Sequence, residues 1–285
     1  MRLRDLQVVL DASPRSDIHR DIAIELARAN GAHLTGLCPL ELLLPADLGF
    51  ALGGYPEVMA LQAAVDQLQS QAMEAARPIE AGFREALRRE GLSGDWRTAP
   101  GAVATAVAFH ARHADLTVVG QADPGRRMPP AGRHMVEDVL LAAGRPLLII
   151  PYAGSFPSIG RNVLIAWNET REAARAVNDA LGLMDPTATV TVLSLARAGG
   201  AEATDVPGAE IAEHLARHGL SVTAARSVTD SNISEADALL SYAADLAADL
   251  LVMGGYGHSR MRELTLGGTT RGVLQHMTLP VLMSH

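Results

Sequence analysis

The sequence predicts an α/β fold in which two similar domains each contain an open parallel sheet flanked by helices. Short apolar runs alternate with amphipathic stretches of helical length, which is typical of parallel strands joined by helical crossovers. The same order of elements recurs once along the 285 residues. Near the end of the chain, a buried strand leads into a glycine-rich loop and a helix start. These three observations predict the fold class and indicate where a ligand would bind.

The first half of the chain contains five predicted strands and four predicted helices. The strands are Leu6–Leu10, His33–Cys38, a short segment around Trp96, Leu116–Gly120 and Leu147–Tyr152. The helices are Ser16–Asn30, Glu57–Glu90, Ala102–His113 and Met135–Ala143. Gly31 and Gly91 directly follow two of these helices, as is common at helix ends. The loop Pro39–Pro56 is long enough to form a lid.

The second half repeats the pattern after a linker at Ala153–Gly160. Its predicted strands are Val163–Trp167, Ala188–Leu195, Ser221–Ser227, Leu250–Met253 and Val281–Met283. Its predicted helices are Glu172–Leu183, Gly208–His218, Asn232–Ala247 and a short one containing Val273–Met277. Asn232 and Glu235 have the spacing of a capping box, which predicts that Asn232 begins the third of these helices. Ala196–Pro207 is a second lid-like loop.

The repeat can be checked by residue numbers. Ala114-Asp115-Leu116 matches Ala248-Asp249-Leu250, Gly120 matches Gly254 and Pro146 matches Pro280, each pair 134 residues apart. Asp11 and Asn168, which follow the first strand of each half, are 157 apart because the first half has the longer second helix. Agreement across separate elements indicates an internal duplication. The predicted domains are therefore residues 1–152 and 160–285.

The composition excludes several classes of protein. A net charge of −8 argues against a nucleic-acid-binding surface. All 24 basic residues are arginine, so a Walker-type lysine and a Schiff-base lysine are absent. The only cysteine, Cys38, fits a reducing cytoplasm. The first residues do not have the pattern of a signal peptide, and no apolar stretch approaches the roughly 20 residues of a membrane span. We expect a cytoplasmic protein without membrane or nucleic-acid partners.

The glycine-rich segment after Leu250–Met253 is the strongest candidate for a binding site. Gly254, Gly255 and Gly257 end the strand, and Gly267-Gly268-Thr269-Thr270 precede the last helix. Glycine is needed where the backbone takes positive φ or where another group must approach it closely. Free N–H groups and the dipole at a helix start favour an anion such as phosphate. The alternative is that these glycines only turn the loop.

The spacing G-x2-G-x9-G of Gly254, Gly257 and Gly267 resembles the nucleotide-binding signature of the universal stress protein family. With the repeat, the resemblance covers nearly the whole chain, as a tandem of two family domains. It implies two Rossmann-like domains of the adenine nucleotide alpha hydrolase-like type, each an open five-stranded parallel sheet. The family pattern ends in glycine followed by serine or threonine. Here Gly268 stands at that position and Thr269 comes one place late.

The resemblance also implies the ligand, the site and the partners. The ligand would be ATP or another adenine nucleotide, with Mg²⁺ as an ion that could accompany it. In such sheets ligands bind outside the carboxyl ends of the strands at the topological switch point. Family members pair through their last strands, so Leu147–Tyr152 should lie against Pro280–His285 within one chain, and two chains could form a homodimer.

An Asp after the first strand contacts adenine in nucleotide-binding family members. Asp11 matches this position in the first half, where the alternative role is an N-cap for the following helix or a solvated loop residue. Asn168 matches it in the second half, and its amide oxygen could accept the same hydrogen bond. Asp11 and Gly120 are the weaker candidates. The predicted nucleotide-binding residues are Asn168, Gly254, Gly255, Gly257, His258, Arg260, Gly267, Gly268, Thr269 and Thr270.

Other residues leave alternatives open. Arg260 and Arg262 could pair with phosphate or with Glu263, and Thr269 and Thr270 could cap the last helix or contact phosphate. In the first half, Gln121-Ala122-Asp123 and Arg133-His134-Met135 replace the glycines, which predicts no nucleotide there.

The pairs His110–His113 and His214–His218 lack an evident third ligand, so no metal site is predicted. No catalytic residue is predicted either, because no hydrolase motif is present. The sequence thus favours a nucleotide-binding regulatory module. A scaffold that binds no nucleotide is the alternative, and slow nucleotide hydrolysis ranks third.

Overall fold

The structure is a computed structural model that describes residues 2–40, 55–125, 134–197, 207–229, 232–257 and 268–285. Within these residues the chain forms ten strands and eight helices. The strands are β1 Asp5–Val9, β2 His33–Leu40, β3 Gly94–Pro100, β4 Leu116–Gly120, β5 Leu147–Ile150, β6 Asn162–Ala166, β7 Thr189–Arg197, β8 Ser221–Thr229, β9 Leu250–Gly254 and β10 Val281–Ser284. The helices are α1 Ser16–Asn30, α2 Tyr55–Glu90, α3 Val103–Ala111, α4 Met135–Ala143, α5 Arg171–Ala180, α6 Ala209–Arg217, α7 Glu235–Asp245 and α8 Gly268–His276.

One compact unit contains Arg4–Val118 together with α4. Its strands lie in the order β3-β2-β1-β4 and are parallel. Val8, Leu34 and Leu116 are fully buried at the centre of this sheet, as expected where helices cover both faces. Helix α1 ends as predicted at Gly31, which adopts a left-handed conformation with φ of 59°.

Helix α2 has 36 residues and contains Pro78 in its interior. Proline lacks the N–H that would bond to the carbonyl four residues earlier, so the hydrogen-bond ladder is interrupted there. Beyond this point Phe83 packs on Trp96 of β3, with the two ring centroids 5.6 Å apart. A Cβ at Gly36 of β2 would lie 2.8 Å from Trp96 Cε3, so this position has no room for a side chain.

The second compact unit is built mainly from Val119–Gly125 and Gly144–His285. Its strand order is β5-β10-β9-β6-β7-β8. The five strands from β6 to β10 are parallel, and β5 pairs antiparallel with β10 through Val281↔Ile149 and Met283↔Leu147. The apolar side chains of β5, β9 and β10 are buried, which explains the short, continuous apolar runs seen in the sequence.

Matching hydrogen bonds recur at the two residue offsets of the predicted internal repeat. The amide of Asp115 donates to Asp5 O at 2.7 Å, and the amide of Asp249 donates to Asn162 O at 2.8 Å. The donors are 134 residues apart and the acceptors 157 apart, which are the two offsets found in the sequence. The end of β9 repeats the end of β4 in the same way, because Gln121 N donates to Ile150 O and Gly255 N donates to Ser284 O.

The predicted N-cap of α7 is wrong. The helix begins at Glu235, and its N-cap is Ser234, whose hydroxyl oxygen accepts a hydrogen bond from Asp237 N at 3.1 Å. The Ser234 hydroxyl also donates to Asp237 Oδ2 at 2.7 Å. Serine is a favoured N-cap residue, and Ser234 lies between Asn232 and the helix. The N-cap is therefore two residues later in the chain than predicted.

Most of the two predicted lid loops, Pro39–Pro56 and Ala196–Pro207, lies outside the described residues. None of the helices that the structure describes is long and apolar enough to cross a membrane.

Candidate functional site

The candidate site lies at the carboxyl ends of β6 and β9, which are parallel neighbours paired through Ala166↔Met253. Within the sheet, β6 has β7, the next strand in the chain, as its neighbour on one side and β9 as its neighbour on the other. This is the switch point at which open parallel sheets bind ligands. The loop before α5 and the loop Gly254–Gly257 meet here, and Asn168 and Gly254 lie on these two loops.

Gly254 allows β9 to pack closely against the start of α5. A Cβ at this position would lie 2.6 Å from Ala173 N and 2.7 Å from the carbonyl carbon of Glu172. Real Cβ atoms do not approach backbone atoms this closely, so only glycine fits. The role of Gly254 in the described structure is therefore helix–strand packing.

The loop after β9 changes direction at Tyr256. Tyr256 has a φ of 53°, a left-handed conformation that is unusual for a residue other than glycine. Its amide donates to the Thr270 hydroxyl oxygen at 3.3 Å, which holds the loop against the first turn of α8. The neighbouring Gly255 O lies 3.0 Å from His285 Nδ1. These contacts with Thr270 and His285 hold the loop in place.

Gly257 lies next to the residues that begin α5. A Cβ at Gly257 would be 3.1 Å from Glu172 Oε2 and 3.2 Å from Thr170 Oγ1. Because these distances are shorter than most Cβ contacts, a larger side chain at Gly257 would displace its neighbours. The glycine keeps the backbone open towards the space between the two loops.

Asn168 is exposed, and its amide oxygen is already bonded. Asn168 Oδ1 accepts from the Thr170 hydroxyl at 2.7 Å. Thr170 is the N-cap of α5, and its Oγ1 accepts from Ala173 N at 3.2 Å. Asn168 Oδ1 also accepts from Thr170 N at 3.4 Å, so Asn168 orients the cap of α5 and both lone pairs of its amide oxygen are used within the loop.

Glu172 was missed by the sequence analysis. The residue is only 3% exposed, and its Oε1 lies 2.5 Å from Arg171 Nε. Burial alone would raise the pKa of this carboxyl. The hydrogen bond from Arg171, the backbone hydrogen bond and the charges of Arg171 and His285 outweigh burial and hold the pKa below its usual value. An acidic residue in the first turn of a helix that follows a candidate binding residue was the available signal.

The start of α8 contains three of the predicted residues. A Cβ at Gly268 would meet no described atom within 4 Å. Thr269 and Thr270 lie inside the first turn, and their hydroxyl groups form hydrogen bonds with residues outside α8. The Thr269 hydroxyl donates to Glu235 Oε2 at 2.8 Å, and Thr270 Oγ1 accepts from Tyr256 N. His258, Arg260, Arg262, Glu263 and Gly267 lie outside the described residues.

In the first half, Asp11 lies in the loop between β1 and α1. Its Oδ1 accepts from Ser13 N at 2.9 Å. The N-cap of α1 is Arg15, so the alternative role of Asp11 as an N-cap is wrong. Asp11 lines a cavity of about 250 Å³, together with residues of α1 and the part of α2 that contains Pro78. The sequence analysis did not predict this cavity.

Gly120 ends β4, and the next residue, Gln121, is buried. The Gln121 amide nitrogen donates to Leu274 O at 2.8 Å, and its amide oxygen accepts from Tyr152 N at 3.0 Å. Gln121 stands where the second half has Gly255. Its side chain satisfies a carbonyl near the end of α8, which is a structural role.

The histidine pairs contact aromatic neighbours. Phe109 stacks edge-on against His110 and His113, and His214 stacks on His218. Burial, with the nearby charges of Arg97 and His113, lowers the pKa of His110. In the part of the chain that the structure describes, no three His, Cys, Asp or Glu residues are grouped as metal ligands.

Comparison with known proteins decides the family. The model of the universal stress protein family (Usp) matches residues 160–285, the segment that holds β6–β10 and the candidate site. Residues 160–285 form a domain of the universal stress protein family. The family and the open α/β fold predicted from the sequence are thereby confirmed.

Proteins similar to this chain are found both by sequence and by structure. The curated universal stress protein Slr1230 of Synechocystis sp. is 50% identical over 46 residues, which are 16% of this chain and 16% of that protein. A universal stress protein of Archaeoglobus fulgidus covers 98% of this chain and 96% of its own, with a TM-score of 0.71 and 16% identity. One from Pseudomonas aeruginosa covers 99% and 93%, with a TM-score of 0.58 and 17% identity. At these identities the structural likeness shows a shared fold.

Proposed function

We propose that residues 160–285 bind an adenine nucleotide, ATP or a relative of it, and that the protein is a stress-response regulatory module. The observation that carries this proposal is the hydrogen bond from Tyr256 N to Thr270 Oγ1 at 3.3 Å. This bond holds the loop Gly254–Gly257, here called the glycine loop, against the first turn of α8 at the switch point between β6 and β9. Backbone N–H groups at a helix start and an open glycine loop together suit a phosphate.

Each predicted residue has a role in this proposal. Asn168 would lie at the adenine end, and Gly254, Gly255 and Gly257 would let the ribose and phosphates approach the backbone. Gly267, Gly268, Thr269 and Thr270 would hold the phosphate end, with His258 and Arg260 as charge partners and Mg²⁺ as an accompanying ion. Asp11 and Gly120 remain the weaker candidates of the first half.

The proposal extends to domains and assembly. We propose tandem domains at 1–152 and 160–285 that pair through their last strands, which the antiparallel pairing of β5 with β10 supports. Two chains could pair further as a homodimer. A cytoplasmic location fits the single free cysteine, Cys38.

A second candidate is a scaffold that binds no nucleotide and acts through protein contacts. Two observations favour it. Asn168 Oδ1 is bonded to Thr170, and the buried Glu172 carboxylate lies close to Gly257, on the side where phosphates would approach.

The nucleotide content of the purified protein separates the two candidates. Acid release and chromatography, with a thermal shift on adding ATP, should show bound nucleotide or an ATP-dependent rise in melting temperature. Gly257→Val should abolish both signals, because the side chain would fill the space beside Thr170 and Glu172. Gly82→Val, at a helical glycine with one ordinary contact to Arg20, is the control and should keep them. An empty wild-type protein with no shift would favour the scaffold.

A further inference from the structure

Helix α2 is longer than the strands on which it packs. Phe83 of the helix packs on Trp96 near the start of β3, and Ala76 packs with Leu40, the last residue of β2. The helix therefore runs antiparallel to both strands, from their carboxyl ends to their amino ends. At 1.5 Å per residue, Tyr55–Gln71 extends beyond the carboxyl ends of β2 and β3 by roughly 25 Å.

The apolar stripe of α2 continues along this extension. Leu61, Val65, Leu68 and Ala72, here called the α2 seam, follow one another at intervals of four, three and four residues, which places them on one face of the helix. Ala72 packs against the cluster that Ala76 forms with β2, so this face is the one that turns towards the sheet. Leu61, Val65 and Leu68 are partly exposed, because the described strands β2 and β3 end before they reach them.

Charged residues are almost absent beside the α2 seam. Met59–Ala72 contains one charged residue, Asp66, whereas Glu74–Glu90 contains eight. Asp66 is exposed and accepts a hydrogen bond from Gln62 Nε2 at 2.9 Å. The cores of protein interfaces are likewise depleted in charged residues, and a segment without Lys or Arg does not attract anionic lipid. In the heptad pattern, the positions that flank the seam are all neutral: Gln62, Ala64, Gln69 and Gln71.

The sheet determines which orientation a partner helix on this seam can take. From Ala72 towards Glu90, the same face of α2 is covered by β2 and β3. Packed helices lie only about 8 to 10 Å apart, so a parallel partner α2 would bring its own sheet into the space that these strands occupy. An antiparallel partner α2 avoids this overlap, because its sheet then lies at the opposite end of the paired segment.

We propose that the α2 seam is a self-association surface, on which a second copy of this chain packs its own seam in the antiparallel direction. A two-fold axis between Val65 and Leu68 places Val65 opposite Leu68 of the partner subunit and Leu61 opposite Ala72 of the partner subunit. Each layer then joins a larger and a smaller side chain, and the contact uses the same surface twice. Of the proposed function, this inference rests only on the pairing of two chains and not on nucleotide binding.

Sedimentation equilibrium of the full-length protein tests this pairing. The seam is shorter than a standard interface of about 800 Å² per partner, so we expect a reversible dimer with a Kd of roughly 10 to 100 µM. Leu68→Asp places an unpaired charge in the seam and should raise the Kd about tenfold or more. Gln67→Asp adds the same charge at an exposed position of the same helical turn and should keep the wild-type Kd. Because both positions lie beyond the sheet, neither variant should lower the melting temperature.

Disulfide cross-linking gives a second measurement, which remains available if Leu68→Asp fails to fold. A mixture of Val65→Cys and Leu68→Cys proteins, oxidised with glutathione disulfide, should form disulfides between the two variants faster than either variant links to itself. The native Cys38 is buried and should not compete. Peptide mass spectrometry identifies the linked positions. Faster linkage of each variant to itself would overturn the antiparallel pairing.

The sedimentation results separate the seam from the homodimer as such. A wild-type protein that remains monomeric at about 500 µM would overturn the inference and the proposed homodimer together. A dimer that Leu68→Asp leaves intact would overturn the seam while the homodimer stands. An equal loss in Gln67→Asp would also overturn the seam, because added charge would then act at any position of the helix. Nucleotide binding is measured separately and stands or falls independently of these results.

Discussion

Asp115 and Asp249, 134 residues apart, perform the same structural task in the two halves of the chain. Each carboxylate accepts hydrogen bonds from backbone amides at the start of the first strand of its half. Asp115 Oδ2 accepts from the amides of Arg4 and Asp5 at 2.8 and 3.0 Å. Asp249 accepts from the amides of Gly160, Arg161 and Asn162, each at 3.0 Å, and from the Ser158 hydroxyl at 2.9 Å. The two positions match at the offset of the predicted repeat, and the hydrogen-bond network is larger in the second half.

Asp249→Ala should destabilise the protein more than Asp115→Ala. Removing a carboxylate leaves its donors without partners. A single hydrogen bond to a charged group contributes about 1.5 to 3 kcal/mol to stability, and several bonds to one carboxylate contribute less than their sum. With four donors against two, we expect the free energy of unfolding to fall by about 3 kcal/mol for Asp249→Ala and by about half as much for Asp115→Ala. Urea unfolding measures both. Asp249→Asn, which keeps one acceptor oxygen, should lie between wild type and Asp249→Ala, and an equal loss in both alanine variants would contradict this assignment.

Gly254→Ala should destabilise the second unit even without ligand. The new Cβ would meet the backbone of Glu172 and Ala173 at 2.6 to 2.7 Å, and backbone cannot move aside as a flexible side chain can. Overpacking of this kind costs roughly 1 to 3 kcal/mol. Gly268→Ala is the matched control, because its Cβ meets no described atom within 4 Å. A melting temperature for Gly254→Ala equal to that of the control would show that the glycine is not needed for packing.

Helices, strands and the repeat could be predicted because each depends on a local pattern. Helix α1 ends at Gly31 and β4 spans Leu116–Gly120, both as predicted. The details of the site depend on contacts between distant segments. Positive φ falls on Tyr256 and not on its glycine neighbours, and the space at Gly254 is limited by the start of α5. The distance between Gly254 and the start of α5 cannot be predicted from a single sequence.

The burial and the charge of Glu172 also could not be predicted from the sequence. In the sequence it is one acidic residue among many in helix first turns. Its burial depends on Gly254 and Gly257 coming against α5, and its charge depends on Arg171. Asn168, which the sequence offered as the adenine contact, is bonded to the cap of the same helix, and this bond could not be predicted either.

His19 should make stability pH-dependent between pH 6.5 and 4. The imidazole is 7% exposed and its Nε2 has no hydrogen-bond partner among the described residues. Burial lowers its pKa to about 4, against the opposing charge of Asp11. Because the unfolded chain binds the proton at pH 6.5 and the folded chain does not, stability is complete above pH 6.5. It falls as the pH drops, by about 3 kcal/mol at pH 4.

Urea unfolding of wild type and His19→Leu at pH 7, 5.5 and 4.5 measures this contribution. The difference in unfolding free energy between the two proteins should shift in favour of His19→Leu as the pH falls, because leucine carries no titrating group. His276→Leu, at an exposed position of α8, should follow the wild type. Parallel curves for wild type and His19→Leu would contradict the burial of a neutral imidazole.

Cys38 should be unreactive in the folded protein. The thiol is 5% exposed and packs with Leu40 and Ala76. Burial, with the nearby charge of Asp11, raises its pKa to about 11. The thiolate is the reactive form, so both access and ionisation oppose reaction at pH 8. Ellman's reagent should label less than a tenth of the thiol in native protein within an hour and all of it in urea. Rapid labelling of native protein would mean that β2 opens readily, and Cys38→Ser would then show whether the signal comes from this thiol.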